Sequence, residues 1–291
     1  MTPAIFKTVH LVTDFNKTYY LDRQSLAFCP NLVFVETTGD IVFEINEIGL
    51  KGDARDSARK LAVVWGDSVV FGIGKAWPCL LDDLAPGYQF LNGGIEGDHY
   101  ANILRRASAF NRQHDVALNL LMLGWHPFQR IRRRWTRRPA NRTLRPDLAA
   151  FLEETPNTVV LTMPTALNRK IIKRDLSYSF IGDHDPDTYF TFYGAAQYSL
   201  DIQRETFDYI VERNAIAREV CARHGVRVVD LFESFNTEKV ADFRQDFMDV
   251  VHPRMRAYPA IARVVYDGIA DLIESASGEP PACRGPKRHP D

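Results

Sequence analysis

One stretch constrains the fold of this chain more than any other, namely the apolar run 61–65 that ends at Gly66-Asp67-Ser68. An apolar run with β-branched residues that stops at a glycine and a small hydroxyl residue predicts a buried strand leading into a turn. At the carboxyl end of a parallel sheet, on the turn before a helix, such a serine presents its backbone N–H at the positive end of the helix dipole. The triplet alone is equally compatible with a polar turn in which Asp67 is the N-cap.

A second polar pair lies far downstream, just before a C-terminal apolar segment. Asp249 and His252 are three residues apart, so that one turn can bring both side chains to the same side. A serine becomes a nucleophile when a base takes its proton and a third group orients that base. An isolated Asp-x-x-His is more often a surface turn, but its combination with a strand-borne Ser68 favours a triad of Ser68, His252 and Asp249.

Three segments together resemble the SGNH, or GDSL, hydrolase superfamily in order and spacing, over roughly residues 60–273. Gly66-Asp67-Ser68 resembles block I, the stretch 92–98 (NGGIEGD) block II, and the stretch 249–253 (DVVHP) block V. The resemblance implies an α/β protein with the three-layer α/β/α, flavodoxin-like fold and a central parallel five-stranded sheet. It also implies an esterase that uses Ser68, His252 and Asp249 as a catalytic triad and needs no cofactor or metal.

The family's oxyanion hole implies further site residues. The backbone N–H groups of Ser68 and Gly97 match two of its donors, and block III, usually Gly-x-Asn-Asp, supplies the third from its asparagine. Here the corresponding stretch is 123–128 (LGWHPF), so His126 stands where the asparagine would. A histidine can donate from one ring nitrogen. His126 therefore either replaces the asparagine or merely packs beside Trp125, leaving the site one donor short.

From residue 61 onwards the pattern alternates between strands and helices, which predicts a parallel sheet covered on both faces. We place strands at 61–65, 88–92, 116–123, 158–163 and 226–231. Helices are placed at 76–84, 99–112, 146–153, 199–224 and 255–275. Gly225 is expected to cap the long fourth helix.

Three regions are expected along the chain. Residues 1–58 are predicted to form a β-rich N-terminal extension packed on the main domain, with a hairpin made by the runs 32–36 and 41–44. Residues 59–277 correspond to the SGNH hydrolase domain, and their length and apolar content suffice for one sizeable core. The tail, 278–291, is rich in proline, glycine and charge and is expected to be disordered.

The overall charge and the apolar runs exclude several functional classes. A net charge of -1 gives no general attraction to nucleic acid or to an anionic membrane. No apolar run approaches the ~18 residues of a membrane span, and the first residues lack a signal-peptide pattern. The scattered cysteines have no metal-type spacing and are interpreted as reduced thiols. We therefore expect a soluble cytoplasmic protein that binds no nucleic acid.

A run of arginines within 130–145 is a candidate site for an anionic ligand, because arginine makes bidentate contacts with anions. A solvated loop balanced by acids elsewhere is the commoner arrangement. The run comprises Arg130, Arg132, Arg133, Arg134, Arg137, Arg138, Arg142 and Arg145.

Aromatic residues suggest where a substrate would lie. The long connection 164–198 is rich in them, and loops over the carboxyl ends of strands often form lids. We take Trp125, Tyr189 and Phe190 as candidate substrate-binding residues, although ordinary packing explains them equally well. His184 and the aspartates around it are interpreted as a capping turn, since a metal site is the rarer outcome.

These patterns leave three functions open. The first is hydrolysis of a small-molecule ester or of an acylated carbohydrate or lipid, in which the acyl or acetyl group is released as the free acid. The second is acyl transfer to, or deacetylation of, a carbohydrate or lipid hydroxyl, since the same triad serves both. The third is a binding protein on an SGNH scaffold. For it, His126 in place of the family's asparagine and Pro127 in place of its aspartate would be signs of lost catalysis.

Overall fold

The computed structural model describes residues 8–11, 28–35, 41–72, 74–125, 128–131, 134–137, 141–166, 200–235, 246–247 and 251–277. The strands are β1 (Thr8–Leu11), β2 (Leu32–Val35), β3 (Ile41–Ile45), β4 (Lys60–Gly66), β5 (Tyr88–Gly94), β6 (Leu118–Met122), β7 (Phe128–Ile131), β8 (Arg134–Arg137), β9 (Thr158–Leu161) and β10 (Val228–Val229). The helices are α1 (Ser68–Phe71), α2 (Tyr100–Asn111), α3 (Leu144–Glu154), α4 (Leu200–His224), α5 (Leu231–Phe235) and α6 (Tyr258–Ser277). Short 3₁₀ helices span Trp77–Leu81 and Met255–Ala257.

The centre of the molecule is a parallel five-stranded sheet in the order β10-β9-β6-β4-β5. The predicted central parallel sheet is thereby confirmed. Strand β4 lies between β5 and β6 and is buried at every residue after Lys60. Because the carboxyl ends of parallel strands share one edge, the turns after β4, β5 and β6 meet there.

Alternate residues of β4 face two separate cores, which gives the three layers. Ala62 and Val64 pack with apolar side chains of α6, whereas Val63 packs with side chains of α2 and α3. Successive side chains of a strand point to opposite faces, so a strand covered by helices on both sides is apolar throughout. The continuous apolar run in the sequence is the signature of this double coverage.

A small sheet precedes the central one. Strands β2 and β3 form the predicted antiparallel pair, and β1, which the sequence did not predict, adds to β2 in parallel. Phe28, Phe34 and Phe43 form a small core with Ile95, which follows β5. Lys51 pairs with Asn92 of β5 as an antiparallel bridge. The extension therefore contacts the main sheet at the end of β5, while the boundary at residue 58 stays a prediction.

Several predicted elements differ in detail. The helix expected at 76–84 is instead a shorter 3₁₀ helix over Trp77–Leu81. The strand expected at 226–231 is confined to Val228–Val229 and is followed directly by α5. The hairpin β7–β8 overlaps the first part of the arginine run. In the described part of the chain, no helix combines the length and the apolar character needed to cross a membrane.

Candidate active site

Ser68 is the first residue of the one-turn helix α1, directly beyond β4. Asp67 is its N-cap, and the Asp67 carboxylate accepts a hydrogen bond from the backbone N–H of Val69 at 3.1 Å. Both interpretations of the triplet therefore hold at once. The cap fixes the turn, and the turn presents a serine that is only 8% exposed.

Glycines let α1 lie directly against the strand ends. A Cβ on Gly66 would lie 2.3 Å from Cγ2 of Val70, and one on Gly94 would lie 2.4 Å from the backbone nitrogen of Phe71. Neither distance is compatible with a side chain. The approach of α1 to the ends of β4 and β5 thus depends on glycine at both positions.

His252 reaches Ser68 from the C-terminal part of the chain. Its Nε2 lies 2.7 Å from Oγ of Ser68, and the histidine is 6% exposed. An antiparallel bridge between Phe247 and Pro253 fixes the backbone beside it. Two polar side chains separated by 184 positions in the sequence are therefore brought into direct contact in a buried place.

The loop after β6 joins the same site through Trp125 and Asp67. The backbone N–H of Trp125 donates to Oδ2 of Asp67 at 2.9 Å, and the indole meets the His252 ring edge-on at 6.0 Å. Burial raises the pKa of Asp67, and the N–H groups of Trp125 and Val69 oppose this by stabilising the carboxylate. Asp67 therefore ties the loops after β4 and β6 together, and Trp125 contacts the histidine.

A buried arginine of α4 binds the backbone of the loop that follows β6. Arg213 of α4 is 1% exposed and donates to the carbonyls of Leu123 at 3.0 Å and Gly124 at 2.5 Å. Its guanidinium lies over the rings of Tyr100 and Tyr209. Burial lowers the pKa of Arg213 to about 9.

A buried lysine supports α1 at its other end. Nζ of Lys51 donates to the carbonyls of Phe71 at 2.8 Å and Gly72 at 3.2 Å, and the amide of Asn92 donates to the carbonyl of Val70 at 2.8 Å. The carbonyls left open where α1 ends are thus capped by side chains from other segments. Burial lowers the pKa of Lys51 to about 7.

The backbone N–H groups of Ser68 and Gly97 remain available to a ligand at this edge of the sheet. The N–H groups of Val69, Val70 and Phe71 all donate to Asp67. Within the described part of the chain, the N–H groups of Ser68 and Gly97 have no acceptor. Gly97 is exposed and has a φ of 63°, a left-handed conformation that favours glycine.

Several predicted site residues lie outside the described residues: Asp249, His126, Tyr189 and Phe190. Their assigned roles stay predictions. Within the arginine run only Arg142 and Arg145 have described side chains, and Arg145 forms an exposed ion pair with Glu219 at 3.0 Å. Trp125 lies in the site, but as a buried neighbour of His252.

A cavity of about 310 Å³ lies apart from this site, between the N-terminal extension and α2. Its lining includes Phe28, Leu50 and Phe110, and neither Ser68 nor His252 is among the described residues that line it. Convergence of polar groups marks a reaction site more directly than empty volume does. We therefore place the candidate active site at Ser68 and His252.

Sequence reasoning missed the buried side chains that hold these loops. Lys51 and Arg213 each bind backbone carbonyls, which leave no mark in a sequence pattern. A basic residue inside an otherwise apolar helix face is a signal that could have pointed to Arg213.

The sequence matches no protein-family model and no curated protein. Solved structures that resemble the chain include the lipase/acylhydrolase from Enterococcus faecalis, at a TM-score of 0.50 and 16% identity over 73% of this chain and 96% of that one. LAE5, an α/β hydrolase enzyme from the metagenome of Lake Arreo in Spain, also has a TM-score of 0.50 and 16% identity, over 75% of this chain and 98% of that one. The chain therefore shares its fold with these two enzymes, in agreement with the three-layer α/β/α fold and central parallel sheet that the sequence predicts.

Proposed function

We propose that this protein is a serine-dependent ester hydrolase whose nucleophile is Ser68. The observation that carries the proposal is the buried 2.7 Å contact between Oγ of Ser68 and Nε2 of His252. A serine hydroxyl becomes nucleophilic when a neighbouring imidazole can accept its proton, and this is the distance that the transfer requires. Similarity of fold to a lipase/acylhydrolase agrees with this chemistry.

The first half of the reaction forms an acyl-enzyme. Oγ of Ser68 attacks the ester carbonyl carbon, and the hydroxyl proton passes to Nε2 of His252. The carbonyl π electrons move to oxygen and give a tetrahedral oxyanion. When they return, the bond between carbon and the alcohol oxygen breaks, and the His252 proton goes to the leaving alkoxide. The products are an alcohol and Ser68 carrying the acyl group.

Water completes the cycle by the same route. It attacks the acyl carbon while His252 accepts one of its protons, and collapse of the second tetrahedral intermediate returns that proton to Oγ of Ser68. A free acid leaves. In this proposal Asp249 accepts a hydrogen bond from Nδ1–H of His252 and stabilises the imidazolium that forms in both halves.

The uncommitted N–H groups support the assignment of the oxyanion hole. Those of Ser68 and Gly97 lack an acceptor among the described residues, and an oxyanion would provide one. Preorganised donors of this kind stabilise the negative charge that develops in the transition state, and the loss of one typically reduces kcat by ~100- to 1000-fold. His126 is proposed as the third donor.

A panel of p-nitrophenyl esters of increasing acyl length tests the proposal. We expect hydrolysis by the wild type, and its loss in Ser68→Ala and His252→Gln. Ser57→Ala is the matched control, because Ser57 is an exposed serine outside the site. Equal hydrolysis by wild type and Ser68→Ala would contradict the proposal. Added sugar acceptors would reveal acyl transfer as a lower yield of free acid for each nitrophenol released.

A further inference from the structure

A second buried arginine, besides Arg213, lies on helix α2. This residue, Arg106, is only 3% exposed, although it carries a charge. Its guanidinium lies 5.8 Å from the Trp65 ring. Buried charges are rare unless they are paired and hydrogen-bonded, so the partners of Arg106 indicate what its position achieves.

All three nitrogens of the Arg106 guanidinium bind groups at the carboxyl edge of the sheet. Nη1 donates to the carbonyl of Gly93 at 2.7 Å. Nη2 donates to Oδ2 of Asp98 at 2.7 Å, and Nε donates to the same oxygen at 3.1 Å. Nη2 also makes a longer contact of 3.4 Å with the carbonyl of Gly66. One side chain therefore joins the ends of β4 and β5 to the loop that follows β5.

Asp98 is fixed as firmly as its partner. Its second oxygen, Oδ1, accepts from the backbone N–H of His99 at 2.9 Å and from the amide of Asn102 at 3.0 Å. The backbone N–H of Asp98 donates to the carbonyl of Ile95 at 3.2 Å, and that of Ile95 donates to the carbonyl of Gly66 at 3.1 Å. The network thus runs without a break from Gly66 to Asp98.

The two ends of this network adjoin the uncommitted N–H groups of Ser68 and Gly97. Gly66 is two residues before Ser68, and Asp98 directly follows Gly97. A planar guanidinium can hold several oxygens in a fixed arrangement, whereas the ammonium of lysine is a point charge on a flexible stem. A buried ion pair contributes little net stability compared with apolar packing. We therefore take the main effect of Arg106 to be that it fixes the positions of the backbone groups it binds, rather than that it adds net stability.

We propose that Arg106, paired with Asp98, is a positioning residue that sets the separation of the Ser68 and Gly97 N–H groups and so shapes the oxyanion hole. This inference rests on the proposed ester hydrolysis. Arg106 acts through Gly66, Gly93 and Asp98 and does not contact the substrate. Its loss displaces donors that act mainly on the transition state, so kcat falls while KM stays nearly constant.

The variants Arg106→Gln, Arg106→Lys and Asp98→Asn test the inference on the full-length protein. Misplacement of a catalytic group by about 1 Å reduces the rate by ~100-fold, and we expect that loss of kcat in Arg106→Gln. We expect Arg106→Lys to be faster than Arg106→Gln but slower than the wild type, since lysine keeps the charge but not the planar arrangement of N–H donors. Asp98→Asn keeps the bond from Arg106 to Gly93 and serves as the milder variant where Arg106→Gln does not fold.

Arg218→Gln is the matched control. Arg218 pairs with Asp230 at 2.7 Å, at the opposite edge of the sheet beside β10, so this variant breaks an arginine–aspartate pair without touching the site. We expect it to lower the melting temperature while keeping the wild-type kcat. A boronic acid inhibitor, which forms a tetrahedral anion on Ser68, reports on the oxyanion hole. Its affinity should fall in the Arg106 and Asp98 variants by the same factor as kcat/KM.

The outcomes separate the two proposals. In one outcome, Arg106→Lys and Asp98→Asn fold and keep the kcat and the boronic acid affinity of the wild type, while Ser68→Ala is inactive. This result would overturn the positioning role of Arg106 and leave the proposal of ester hydrolysis intact. In a second outcome, kcat falls in every variant, Arg218→Gln included, in proportion to the fall in melting temperature. This result would also overturn the positioning role of Arg106. Hydrolysis that persists in Ser68→Ala would overturn both proposals.

Discussion

The buried Lys51 makes the stability of this protein depend on pH in a way that one substitution can reveal. Burial lowers the pKa of Lys51 from its ordinary value of 10.5 to about 7. The unfolded chain therefore binds the lysine proton more tightly than the folded chain does between these two values. Stability rises with pH wherever the unfolded state binds more protons, so the penalty for burying Lys51 is full below about pH 7 and vanishes towards about pH 10.5.

The magnitude follows from the difference between the two pKa values. One pKa unit corresponds to about 1.4 kcal/mol, so the full penalty is about 5 kcal/mol. The Cys79 thiol is the titratable neighbour that acts on Lys51, and burial raises the pKa of Cys79 to about 11, so it stays neutral over most of this range. Between about pH 7.5 and about pH 9.5 we expect the stability of the wild type to rise by about 2 to 3 kcal/mol relative to that of Lys51→Met.

Urea unfolding followed by tryptophan fluorescence, at several pH values, measures this gain. The quantity of interest is the difference between the free energies of unfolding of wild type and Lys51→Met, compared at similar m-values. The size of this difference at any one pH also includes the loss of the hydrogen bonds from Lys51 to Phe71 and Gly72. The test is therefore how the difference changes with pH. Lys60→Met is measured alongside as the control, because Lys60 is an exposed lysine outside the site. Parallel profiles for wild type and Lys51→Met would refute the reasoning.

Two glycine substitutions test the close approach of α1 to the sheet. Gly94→Ala places a Cβ 2.4 Å from the backbone nitrogen of Phe71, which cannot move aside, and we expect a loss of ~3 kcal/mol or more in the free energy of unfolding together with loss of ester hydrolysis. Gly66→Ala meets the side chain of Val70, and we expect a loss of ~1–3 kcal/mol. Gly87→Ala is the control for both in the same urea titration, since its Cβ would have no neighbour within 4 Å; a loss at Gly87 as large as at Gly94 would contradict this packing account.

The parts of the fold that sequence reasoning predicted are those with a strong local signal. The run 61–65 predicted β4 because burial on both faces requires continuous apolar character. Helices α2 and α4 differ from their predicted bounds by at most one residue at each end. Strand β1 was missed because an isolated run of four residues carries no such signal. Its partner, β2, is distant in sequence, and nonlocal pairing decides whether such a run forms a strand.

The candidate site divides in the same way. Ser68 and His252 could be paired from the sequence because their chemistry requires each other, and the structure brings them into contact. The supporting side chains could not be predicted, because Arg106, Arg213 and Lys51 bind backbone carbonyls whose positions exist only once the strands have assembled. A sequence records the side chain that donates, but it does not record which carbonyl accepts.

The most direct test of the central claim is the covalent labelling of Ser68. A fluorophosphonate probe reacts with a serine that a neighbouring base activates, and intact-mass measurement with peptide mapping locates the adduct. We predict one adduct in the wild type, located on Ser68, no adduct in Ser68→Ala and strongly slowed labelling in His252→Gln. An adduct of unchanged mass and rate in Ser68→Ala, or equally fast labelling without His252, would contradict the account.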